Sequence, residues 1–179
     1  MMIDKNIYLI GMMGSWKTTV GRLLAKKLKR NFVDLDDQIE KAAGLIIAHI
    51  FEIFSEAEFR SLEAKQLRKI AQLENQVVGT GGGAVLQEKN RRIFLEDGIT
   101  IFLRAEPAVL ASRIRNKSKR PLLMKSDNIE NTLREIWEKR QALYEASAHY
   151  ILDTDELKPE EVTEEIVAYL QENYEYNPG

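Results

Sequence analysis

Cysteine is absent from the chain, which excludes disulfides, thiolate catalysis and cysteine-ligated zinc. Histidine is nearly absent as well: the only two, His49 and His149, lie a hundred residues apart, so both are expected to be structural or surface residues and not the core of a metal site. No stretch approaches the roughly 18 consecutive apolar residues that a membrane span requires. An excess of one charge is also missing, because a formal net charge of −2 is spread over 26 basic and 28 acidic side chains interspersed from end to end. That pattern lacks the concentrated positive field of a nucleic-acid binder. The first six residues carry Asp4 and Lys5 where a secretion signal needs an apolar stretch, so no membrane and a cytoplasmic setting are expected. With 179 residues and ordinary apolar and charged fractions, a single domain over 1–179 with a substantial core is expected.

What is present is an alternation of short apolar runs and longer amphipathic stretches, the pattern of an α/β fold with helices covering a parallel sheet. Ile7–Ile10, Phe32–Asp34, Gln76–Val78, Thr100–Leu103 and Tyr150–Leu152 read as strands, each too short and too apolar for a surface helix. Lys17–Lys29 puts Val20, Leu23, Leu24 and Leu28 on one face, and Glu56–Leu73 does the same with Phe59, Leu62, Leu67 and Ile70. Helical patterns also cover Gln87–Glu96, Pro107–Arg115, Ile129–Ala146 and Glu160–Glu172. The basic segment 116–127 has no period and reads as a loop, either merely solvated or functional.

The first strand runs into Gly11-Met12-Met13-Gly14-Ser15-Trp16-Lys17-Thr18 and then directly into a helical pattern. This approaches G-x-x-x-x-G-K-[ST], in which backbone N–H groups at a helix N-terminus wrap an anion. Lys17 would hold the β- and γ-phosphates and the Thr18 hydroxyl would ligate Mg²⁺. Tryptophan at 16 stands in place of the second glycine. Amides that curl around an anion leave little room for Cβ, so Trp16 is expected to strain the loop and weaken ATP binding; an indole turned outward onto the lid or the nucleotide would instead supply contact area that glycine cannot.

A second glycine cluster, Gly81-Gly82-Gly83 within Gly79–Ala84, follows the third strand. It matches a dinucleotide fingerprint only formally, since no acidic residue ends a strand about 20 residues later. Three successive glycines imply a close backbone approach, expected to be to a ligand. Phe32-Val33-Asp34-Leu35-Asp36-Asp37 carries a carboxylate run that reads in two ways. One of the three caps a helix; or Asp34 and Asp36, two apart on an extended segment, point together toward a metal's water shell and a substrate hydroxyl. Arg60 and Glu63, three apart on a helix, have the spacing of an ordinary exposed ion pair.

The strings GMMGS-x-KTTVGRLLA, FVDLDDQIE, EAEFRSLE, GTGGGAV, KRPLL and EKRQALYEASA occur in the order and at the spacings of the shikimate kinase family, and the chain resembles that family from about Asn6 to Tyr169. The resemblance implies a three-layer P-loop kinase fold with a five-stranded parallel sheet, an acceptor-binding region near 34–63 and a lid near 116–127. It implies a monomer that transfers phosphate from ATP to shikimate with Mg²⁺. By the same resemblance, the loop from Gly11 through Met12, Met13, Gly14, Ser15 and Trp16 to Lys17, Thr18 and Thr19 binds the phosphates, with Thr18 and Asp34 near the metal. Asp36 becomes the candidate base, Arg60 and Arg140 the clamp on the acceptor carboxylate, Glu63 the residue that orients Arg60, and Gly81, Gly82 and Gly83 the backbone against the ring. Arg120 becomes the lid arginine at the transferring phosphate, while Arg113 and Pro159 flank the adenine. Ile46, His49 and Ser55 depart from the family pattern near the acceptor, which puts acceptor affinity in question. A related small-molecule kinase, such as a gluconate kinase, and a binding module impaired by Trp16 remain alternatives.

Overall fold

The computed structural model describes residues 4–115, 121–124 and 126–174. Five strands, β1 (Asn6–Ile10), β2 (Asn31–Asp34), β3 (Gln76–Gly79), β4 (Gly98–Arg104) and β5 (Tyr150–Asp153), form one parallel sheet in the order β2-β3-β1-β4-β5. Each sequence-predicted strand lies within one of these.

Alternation along the strands divides the core into two layers. On one face Ile7 and Leu9 of β1, Val77 of β3 and Ile99, Ile101 and Leu103 of β4 pack with Val20, Leu24 and Leu28 of α1 (Lys17–Leu28) and with Val162, Ile166 and Leu170 of α9 (Pro159–Asn173). On the other face Tyr8, Ile10, Val78 and Phe102 meet a layer built from α2 (Leu35–Ala43), α3 (Ile47–Ile53), α4 (Glu56–Ala71), α5 (Glu88–Glu96), α6 (Pro107–Arg113), the single turn α7 (Pro121–Met124) and α8 (Ile129–Glu145). Every residue of β1 is buried, as expected of a central strand covered on both sides.

The chain runs from β1 outward to β2, returns to β3 beside β1, and then crosses to β4 on the other side. The carboxyl end of β1 is therefore the topological switch point, where crevices open in sheets of this kind. The phosphate-like loop, Asp34 and the glycine cluster all leave strands at that edge.

Asp34 and Asp36 are not on one extended segment. β2 ends at Asp34, whose Oδ1 accepts the Asp36 N–H at 3.0 Å and so caps α2, placing Asp36 and Asp37 in the first helical turn. α3 went unread in the sequence because Leu45–Ile50 is nearly continuously apolar and carries no amphipathic period; the turn is held by burial of Ile50 and by packing of Ile47 and Phe51. His149 Nδ1 accepts the Thr100 N–H at 3.0 Å, and His49 is exposed on α3.

α1 passes so close to β2 that a Cβ on Gly21 would sit 2.3 Å from Phe32 Cε2. Alanine for glycine inside a helix normally stabilises by roughly 0.5–1 kcal/mol. Here Gly21→Ala is expected to destabilise by about 1–3 kcal/mol through overpacking. In a Phe32→Leu background the loss should shrink or reverse, as thermal unfolding of the four proteins would measure.

Candidate functional site

β1 delivers the chain into a loop whose backbone is left-handed at two points near its end. Gly14 has φ 84°, and a Cβ there would stand 2.9 Å from the Leu110 carbonyl. Trp16 has φ 65° and ψ 19°, the conformation glycine adopts freely, so the expected backbone strain is present. α1 begins at the next residue. It has no side-chain cap and no acidic residue in its first turn, in contrast to α2 and α4. Its first N–H groups thus lack a side-chain cap and suit an anion. Lys17 Nζ donates to the carbonyls of Gly11 and Met12, each at 2.8 Å, and to Ser15 Oγ at 3.3 Å, so the ammonium arches over the loop. Thr18 Oγ1 donates to Asp34 Oδ2 at 3.0 Å, which puts two oxygen ligands of the kind a hard cation takes side by side.

Facing the loop across the cleft is a charged cluster. Glu63 is fully buried and accepts from Arg60 Nη1 at 3.0 Å through each of its carboxylate oxygens. Arg60 is itself buried, and its Nε has no hydrogen-bond partner among the described residues. The pair is therefore not the exposed, weak one that its spacing suggested, because α4 turns this face toward the glycine cluster. A Cβ on Gly83 would lie 2.2 Å from Arg60 Nη2, and one on Gly81 would lie 2.9 Å from Asp36 Oδ1. The close approach implied by the three glycines is thus, in the structure itself, an approach to the site's own side chains. The Gly82 carbonyl accepts from Arg140 Nη1 at 3.0 Å and from the hydroxyl of the fully buried Tyr144. Burial pushes the Tyr144 phenol up to about 12, keeping it a donor.

Asp36 reaches the same space from α2. Desolvation raises its carboxyl to about 7, reinforced by the charges of Asp34 and Glu63 and opposed by Lys17. Desolvation also raises Glu63, against the pull of Arg60.

These groups line one cleft of about 480 Å³, which brings together Met13, Gly14, Trp16, Lys17, Thr18, Thr19, Asp34, Asp36, Arg60, the three glycines, Arg113 and Arg140. Pro159 opens α9 outside that lining, and Arg120 lies outside the described residues. The three departures from the family pattern do not reach the cleft: Ile46 and His49 are exposed, and Ser55 caps α4 reciprocally with Glu58.

The shikimate kinase family model matches residues 13–171. The chain is 44% identical over 169 residues to the shikimate kinase of Pelotomaculum thermopropionicum, covering 94% of this chain and 97% of the relative. It is 45% identical over 163 residues to that of Thermodesulfovibrio yellowstonii, covering 91% and 93%. The chain belongs to the shikimate kinase family. Among solved structures, shikimate kinase from Acinetobacter baumannii in complex with shikimate superposes with a TM-score of 0.91 at 37% identity, covering 94% of each chain. A gluconokinase from Sinorhizobium meliloti, at 17% identity and a TM-score of 0.58, shares the fold alone.

Ile47, Phe51, Phe59, Thr80 and Leu122 complete the cleft wall of this family member and were not singled out as site residues in the sequence. Ile47 and Phe51 belong to the unread helix α3, and Phe59 looked like one more core position on α4. A signal existed for Phe59: it directly precedes Arg60, and the guanidinium lies 5.0 Å from its ring centroid.

Removing one partner of a buried ion pair leaves the other charge uncompensated. Glu63→Ala is therefore expected to cost about 3–5 kcal/mol of stability in urea unfolding. A loss below about 1 kcal/mol, typical of exposed pairs, would mean that Glu56, whose Oε1 lies 3.4 Å from Arg60 Nη2, or solvent compensates the arginine.

Proposed function

We propose that the protein transfers the γ-phosphate of ATP to the 3-hydroxyl of shikimate, working as a monomer in the cytoplasm, with one domain, an acceptor region over 34–63 and a lid over 116–127. The observation that carries this reading is the convergence in one cleft of two buried arginines, Arg60 and Arg140, a carboxyl held near neutrality at Asp36, and an anion-ready helix terminus behind Lys17. Paired guanidinium forks suit a carboxylate acceptor, and a polyol acid such as shikimate offers both the carboxylate and a hydroxyl to phosphorylate. Among the described residues no helix is long and apolar enough to cross a membrane.

Arg60 commits Nη1 to Glu63 and donates only weakly from Nη2 to Glu56 at 3.4 Å; Arg140 commits Nη1 to the Gly82 carbonyl. The donors that remain would hold the acceptor carboxylate, with Glu63 fixing the rotamer of Arg60 and Tyr144 helping to fix the glycine loop under the ring. Asp36 accepts the hydroxyl proton as the acceptor oxygen forms its bond to the γ-phosphorus and the bond from that phosphorus to the bridging oxygen of ADP breaks. Lys17 leaves its loop carbonyls for the phosphate oxygens, a stronger charge partner than neutral carbonyls. Thr18 and Asp34, adjacent hard-oxygen groups, fit Mg²⁺, which when bound supplies charge neutralisation on the phosphates. Arg120, Arg113 and Pro159 are assigned to the transferring phosphate and the adenine by resemblance to the family.

Alanine at Arg60 or Arg140 is expected to weaken shikimate binding by about 2–5 kcal/mol, with ATP affinity changed little, as calorimetry on each ligand would read. Shikimate affinity equal to the parent's in both variants would remove the carboxylate clamp.

Asp36→Asn should lower kcat by ~10²–10⁴ and lack the rise in activity expected of the parent as pH passes through about 7. Stability should move the other way. The folded carboxyl titrates near 7 against an ordinary 3.8, so its stabilising contribution is whole below the lower value and lost as pH climbs through the upper one. The Asn variant, which cannot titrate, should therefore gain on the parent in melting temperature between pH 4 and pH 8. A variant with near-parent turnover would take Asp36 out of the reaction.

A further inference from the structure

Trp16 is the one residue of the phosphate loop whose type the proposed reaction does not call for, and its side chain is not idle. The guanidinium carbon of Arg113 lies 3.5 Å from the centroid of the indole ring, stacked face on. The half-buried indole also packs on the core layer formed by α1 and α9 with β1 and β4. The plane of Arg113 is fixed by two further bonds, Nη1 to Thr154 Oγ1 at 3.0 Å and Nη2 to the Thr154 carbonyl, and Thr154 is fully buried. Arg113 and Trp16 both border the cleft, at the end where α1 begins. A flat cation is thus pinned by hydrogen bonds along its edge and by an aromatic ring on one face.

We infer that Trp16 is a positioning residue for the nucleobase: the indole backs the Arg113 guanidinium so that it presents a rigid, flat platform on which the base of the nucleotide stacks. The inference rests on the nucleotide occupying this end of the cleft, as proposed above. Physically, a guanidinium has two faces and a π-stacked arrangement uses both. Occupying one face with Trp16 removes rotamer freedom that base binding would otherwise have to remove. The left-handed backbone at position 16 is then tolerated because it aims a large side chain along the loop and under Arg113. The indole thus takes a setting, on Arg113 and the core layer, that is neither of the two the sequence left open for Trp16.

Strain in the loop and support of the base can be separated by comparing two ligands that share the phosphates but not the base. Binding of Mg-ATP and of Mg-tripolyphosphate is measured by calorimetry, and the ratio of the two dissociation constants reads the contribution of the nucleoside. Relief of backbone strain in Trp16→Gly acts on both ligands and cancels in the ratio, while Trp16→Leu keeps the Cβ and loses only the stack. Both variants are expected to lose about 5- to 10-fold of the preference for ATP. Trp16→Phe, which retains an aromatic face, should keep it within about 2-fold. In an Arg113→Ala background Trp16→Leu should change the ratio no further, since the indole acts through the guanidinium. An unchanged ratio in Trp16→Leu, a loss in Trp16→Phe as large as in Trp16→Leu, or an equal loss with and without Arg113 would each overturn the inference. Failure of tripolyphosphate to bind the parent would overturn the phosphate-loop reading along with it, whereas normal tripolyphosphate binding with a flat ratio would overturn the role of Trp16 alone.

Discussion

Burial of β1 on both faces is the constraint from which the rest follows. Isoleucine, tyrosine and leucine side chains fill both layers beside this strand, and the two core clusters that it separates leave no room for charge along its length. Polar groups with chemical work to do are therefore displaced to the carboxyl edge, where the strand order reverses and a crevice opens without disturbing either layer. Phosphate loop, capping aspartate and glycine cluster sit together because each is the first thing to leave its strand.

Within that crevice the balance of charge is close. Asp34, Asp36 and Glu63 face Lys17, Arg60, Arg113 and Arg140 across one space. The carboxyls are held by different means. Asp34 is engaged by the Thr18 hydroxyl and by the first turn of α2, Glu63 by Arg60, and Asp36 by neither, so that desolvation dominates its titration. Three acids with three environments separate into a capping and metal-side group, an anchoring group and a proton acceptor. The glycines make this density of charge possible, since any Cβ at 81 or 83 would collide with Asp36 or Arg60.

Position 16 illustrates a different balance. The backbone there is left-handed, which disfavours a bulky side chain, yet the indole gains contact with a core layer and with a planar cation. A local rule is broken where a longer-range contact compensates, a pattern expected at functional loops.

Much of this was written in the chain. The alternation of apolar runs and amphipathic stretches specified the five strands, the long helices and the parallel α/β class, because period-two and period-3.6 burial are properties of local sequence. The loop before Lys17, the carboxylates after β2 and the order of the six family strings named most of the site. Tertiary structure alone decided the rest. It ended β2 at Asp34 and put Asp36 on a helix, because one side-chain-to-backbone bond tips that junction. It built α3 from an apolar run with no period, turned Arg60 and Glu63 inward against three glycines, gave Asp36 its high proton affinity, and laid Trp16 under Arg113. Each of these depends on which distant segment stands opposite, and distance across a fold is not a quantity that residue spacing carries.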